Sequence, residues 1–129
     1  MGGFGNIAEI RAALLSVISR RIGVERAREV DPWFFPDQEW MRRMLEEEVG
    51  GFKVVRSELE HRPTKADKGG LEGWLGLMGK QFLDAVEGGE EREKCEREVA
   101  EILKSICESP SGNGVWLGYV RLRVLARKV

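Results

Sequence analysis

Met1-Gly2-Gly3-Phe4-Gly5-Asn6 is a glycine-rich turn that leads at once into a helix. In α/β proteins such a turn follows the carboxyl end of a parallel strand, where ligands collect. No strand precedes it here, so the expectation is a chain that keeps the rim of a site and lacks most of its floor. Ile7, Ile10, Leu14, Val17, Ile18 and Ile22 then recur at three- and four-residue steps. With Asn6 placed to cap alongside Glu9 and Gly23 placed to close the end, the spacing predicts a helix over 7–22.

Further along, Asp31-Pro32-Trp33-Phe34-Phe35-Pro36 reads as an ordered loop, because two prolines fix φ around three consecutive aromatics. Asp37 is a good N-cap for a second helix carrying Met41, Met44, Leu45 and Val49, which Gly50-Gly51 terminate. A strand is expected over 52–60, stopping before Pro63, and a polar turn over 62–70. Leu71, Trp74, Leu75, Met78, Phe82, Leu83 and Val86 mark a third helix that Gly88-Gly89 break. A fourth, over 90–108, is expected to bury Val99, Ile102, Leu103 and Ile106. After a turn cluster at 109–114, the clearest strand, 116–127, sets Val120, Leu122, Val124 and Ala126 on a buried face, with Arg121, Arg123 and Arg127 opposite. Helix, helix, strand, two helices, strand is an α+β order, and two strands alone are marginal.

The 129 residues, 42% apolar and 33% charged, suit one domain with a modest core. Twenty-one Lys and Arg against 22 Asp and Glu leave a net charge of -1, so no overall basic field exists to hold nucleic acid or an anionic membrane. No run is long enough to cross a bilayer and no secretory signal opens the chain, so the expected location is the cytoplasm. Cys95 and Cys107 fall on one helix about 18 Å apart, beyond disulfide reach, and read as reduced packing residues. With a single histidine and no metal-type spacing, no metal site is expected.

The glycine turn with its helix, Pro32-Trp33-Phe34-Phe35-Pro36, Gly51-Phe52-Lys53-Val54, Gly70-Leu71-Glu72-Gly73-Trp74-Leu75 and the closing Tyr119-Val120-Arg121-Leu122-Arg123-Val124 follow one order. In that order the chain resembles the C-terminal half of a class I S-adenosylmethionine-dependent methyltransferase, of the kind similar to trans-aconitate methyltransferase. The resemblance implies a partial α/β fold whose parent has strands one to five parallel and an antiparallel pair at one edge. This chain would begin at the end of strand five, with 52–60 and 116–127 as the antiparallel pair. Residues 1–129 would then be a single partial domain, with a helical substrate cap inserted over about 62–114.

The cofactor's glycine-rich loop and ribose-binding acid are not found in these residues. Gly73, Gly76 and Gly79 sit within a predicted helix and read as close packing or a kink. Among site residues, His61 is a candidate general base for a methyl acceptor, against an ordinary solvent-facing histidine. Arg62 is a candidate partner for a substrate carboxylate. Trp33, Phe34 and Trp74 are candidate walls of a substrate pocket, with core packing as the alternative. By the same resemblance Gly3 is a candidate for the rim of the cofactor site.

The function expected on this resemblance is methyl transfer to a small molecule by the complete protein with S-adenosylmethionine. This chain alone is expected to bind no cofactor and to be inactive. The alternatives are a non-catalytic small-molecule-binding or dimerisation module of that fold, or an enzyme completed by another chain. Loss of strands one to five would expose Val120, Leu122 and Val124 and an open sheet edge, so a homodimer burying roughly 2,000 Å² is expected.

Overall fold

Alternating apolar and charged residues, bounded by Gly50-Gly51 and the 109–114 turn, produce two long strands. These are β1 (Phe52–Lys65) and β2 (Trp116–Lys128), in a computed structural model that describes residues 1–67 and 69–129. The strands are adjacent and antiparallel, as expected. Val129 N–H donates to the Gly51 carbonyl at 2.9 Å at one end of the pair, and Ala66 N–H to that of Val115 at 2.8 Å at the other. β1 runs on to Lys65, past the expected stop at Pro63. An edge strand tolerates a proline because the missing N–H is needed only on the side that faces a partner. His61 and Arg62 therefore lie in a strand rather than in or beside a turn.

Six α-helices complete an α+β fold among the described residues: α1 (Ala8–Ile22), α2 (Val24–Val30), α3 (Gln38–Arg43), α4 (Gly70–Met78), α5 (Lys80–Asp84) and α6 (Gly89–Cys107). The chain divides into two units. The first comprises Met1–Ile7, Phe34–Pro63 and Gly118–Val129, and the second Ala8–Trp33 and Thr64–Leu117.

In the first unit the opening residues are not a free turn. Gly3 N–H donates to the Val120 carbonyl at 3.0 Å and Leu122 N–H to that of Met1 at 2.8 Å, with Gly2 bridged antiparallel to Arg121. Residues 1–3 thus run extended along the second edge of β2. The Asn6 carboxamide oxygen, expected to cap a helix, instead accepts the Val120 N–H at 2.7 Å, and α1 starts only at Ala8. This arrangement overturns part of the expected exposed face, since Leu122 is only 2% exposed.

Asp37 caps α3 as its sequence position predicts, its Oδ1 accepting the Trp40 N–H at 2.8 Å. The helix then widens into a π-helical stretch, Met44–Val49. From there Glu46 accepts the Val54 N–H at 3.0 Å and pairs with Lys53 and Arg42. The Val54 amide first, and the two cations after it, hold the Glu46 carboxyl below the usual carboxylate range.

The second unit carries a helical core. α1 buries Ile10, Ala13, Leu14, Val17 and Ile18 and packs against α6 and α2. On α6 the buried stripe is Cys95, Val99, Leu103 and Cys107, with Ala100 beside it. Ile102 and Ile106, expected inside, are 39% and 63% exposed. Both cysteines are free and buried, and desolvation pushes their thiols up. The expected third helix is two: α4 and α5 meet at Gly79, whose N–H donates to the Leu75 carbonyl at 2.9 Å. A Cβ there would lie 2.9 Å from that oxygen and 3.5 Å from Leu14 Cδ1, so this glycine serves a break and a close approach. Among the described residues no helix is long and apolar enough to cross a membrane.

Candidate functional site

A proline restricts the residue before it to extended backbone, and Asp31, ahead of Pro32, sits at φ -66° and ψ 113°. From that position its Oδ1 accepts the Trp33 N–H at 3.1 Å, an Asx turn. Its Oδ2 accepts from Arg11 Nε at 2.7 Å. The same guanidinium donates through Nη2 to the Trp33 carbonyl at 3.1 Å. The Asp31 side chain is only 7% exposed, and a carboxylate so placed needs a charged partner to offset its lost hydration.

Trp33 is thus held at both its N–H and its carbonyl, and its ring completes an aromatic cluster. Its centroid lies 6.2 Å from that of Trp74, tilted by 43°, and 5.7 Å from that of Phe82, tilted by 50°. Tilted pairs at such separations are favoured by the ring quadrupoles. Phe82 is fully buried, while Trp33 and Trp74 are half-buried and form the outer part of the cluster.

Of the residues singled out in the sequence, Trp33 and Trp74 are brought together. Phe34 belongs to the other unit, where its exposed ring meets Trp40 edge-on at 4.9 Å. His61 and Arg62 are exposed on β1, Arg62 Nε lying 3.7 Å from Glu60 Oε1. Gly3 is buried by packing: a Cβ there would lie 2.9 Å from Leu122 Cβ and press on Leu59. Sequence reasoning misses Arg11, Asp31 and Phe82 as parts of one cluster. Asp31-Pro32 carried a signal, the Asx-turn propensity of aspartate, whereas Arg11 lies 20 residues away and carried none.

Glycines 73, 76 and 79 lie within α4 or at its end, so they present no strand-to-helix cradle of backbone amides. Among the described residues no group of three His, Cys, Asp or Glu is placed to hold a metal ion. No family profile matches the chain. The chain is 33% identical over 130 residues to an uncharacterized methyltransferase of Schizosaccharomyces pombe, a match covering 98% of this chain and 47% of that protein. The chain is related to a methyltransferase. It spans about half the length of this curated relative, and its two antiparallel strands with their helices fit part of a methyltransferase-like fold.

Proposed function

We propose that this chain is the C-terminal, substrate-side portion of an S-adenosylmethionine-dependent methyltransferase of small molecules, similar in kind to trans-aconitate methyltransferase. The observation that carries the proposal is the match over 98% of the chain to a methyltransferase about twice as long. The extended residues 1–3 beside β2, followed by the glycine turn and α1, support the C-terminal placement. Trp33 and Trp74 supply an aromatic wall for the acceptor, a small carboxylate. Methyl transfer from a sulfonium depends on holding donor and acceptor in line, so the shape of such a wall matters more than a signature residue. The cofactor belongs to the complete cytoplasmic protein, and this chain alone is inactive. Incubated with labelled S-adenosylmethionine and a set of small carboxylic acids, it is expected to transfer no label. Sustained turnover would overturn this reading.

One observation favours the alternative module. Among the described residues, Val55 on β1 and Leu125 on β2 leave apolar side chains 58% and 60% exposed on the strand pair. Exposed apolar surface favours association. On this reading two copies associate through the strand pair, and light scattering at low micromolar concentration gives twice the 14.6 kDa of one chain. A clean monomer contradicts it.

A further inference from the structure

We infer that Arg11 and Asp31 are positioning residues whose ion pair sets the placement of Trp33 in the aromatic wall. The inference rests on the reading of Trp33 and Trp74 as that wall. Trp33 is followed directly by Phe34 and Phe35, so the aromatic character of the loop does not by itself select which ring meets Trp74 and Phe82. A slip of the loop by one residue would offer Phe34 instead. The structure opposes that slip at the Trp33 peptide groups themselves: Asp31 Oδ1 accepts from the N–H and Arg11 Nη2 donates to the carbonyl, while Arg11 Nε donates to Asp31 Oδ2 at 2.7 Å and closes the circuit.

The anchor is firm because Arg11 projects from α1 beside Ile10, which is fully buried, and Leu14 one turn on is buried too. The residue types matter. Only a planar guanidinium offers two donors in a fixed fork, one for the carboxylate and one for the carbonyl. A lysine at position 11 keeps the charge that Asp31 requires but cannot reproduce the fork. Loss of the pairing charge and loss of the fork are therefore separable.

Two indoles held this close couple their transitions, so the test is the exciton couplet of Trp33 and Trp74 in the circular dichroism of the full chain. Trp33→Phe and Trp74→Phe assign the couplet, and each is expected to abolish it. Arg11→Lys and Arg11→Ala are then expected to lose most of it at unchanged helix content. The lysine variant is expected to unfold at nearly the wild-type urea midpoint, a combination that a purely stabilising ion pair would not give. If Arg11→Ala fails to fold, the lysine variant and Asp31→Asn carry the test. A couplet that survives both Arg11→Lys and Asp31→Asn overturns the inference, as does a couplet that survives Trp33→Phe. No cofactor or acceptor enters the measurement. Failure of the reading of this chain as an inactive portion would instead appear as label transfer, with the couplet results unaffected.

Discussion

Replacing Phe82 by alanine is expected to destabilise the protein by about 3–5 kcal/mol. Phe82 is the largest fully buried side chain among the described residues, and its ring centroid lies 5.7 Å from that of Trp33. Truncation removes the transfer free energy of the ring and leaves a cavity that α5, only five residues long, is poorly able to fill by collapsing. Domains of this size are stable by about 5–15 kcal/mol, so the loss is a large part of the whole. Urea unfolding followed by tryptophan fluorescence measures it. Phe82→Leu, which keeps more of the volume, should cost clearly less. Equal midpoints for wild type and Phe82→Ala would contradict the packing described.

The second large effect is expected at the opposite kind of site, where one added methyl group has no room. Gly3 does not adopt a positive φ, so conformational freedom is not what the position demands. Space is. The new Cβ of Gly3→Ala would stand 2.9 Å from Leu122 Cβ and 3.3 Å from Leu122 N while pressing on the end of Leu59. Leu59 can turn aside, but the β2 backbone at Leu122 cannot, and overpacking of this type costs about 1–3 kcal/mol. The loss should appear in the urea midpoint, together with faster amide exchange at Gly3 and Leu122, whose N–H groups bond the facing carbonyls. An unchanged midpoint and exchange rate would show that residues 1–3 do not lie along β2.

The fold was legible where a single face decided the pattern. The alternating arginines of β2 mark the strand, although of Val120, Leu122, Val124 and Ala126, expected inside, only Leu122 is buried. Asp37 and Gly50-Gly51 mark their boundaries by chemistry that acts locally. α2 was not legible because a helix that buries only Ala27 has no apolar stripe to detect. On α6 hydrophobicity alone ranks Ile102 and Ile106 above Cys95 and Cys107. Packing against α1, α4 and α5 sets the phase of the buried stripe, and that phase selects the cysteines. β1 runs on through Pro63 because a proline stops a central strand and not an edge one.

The candidate site divides in the same way. Trp33 and Trp74 stand out as aromatics in or beside glycine- and proline-marked segments, and the fold brings them together. The clamp on Trp33 does not stand out, because Arg11 is one more polar residue on an amphipathic helix until the chain returns 20 residues later. Gly3 illustrates the converse: a glycine that suggests a ligand in the sequence is required by the leucines packed on it.

Titration of S-adenosylmethionine into this chain by calorimetry tests the central claim most directly. If the chain is the substrate-side portion of a methyltransferase, without the cofactor's glycine loop and ribose-binding acid, no heat of binding will be seen with the cofactor in excess. A dissociation constant in the micromolar range would contradict the account.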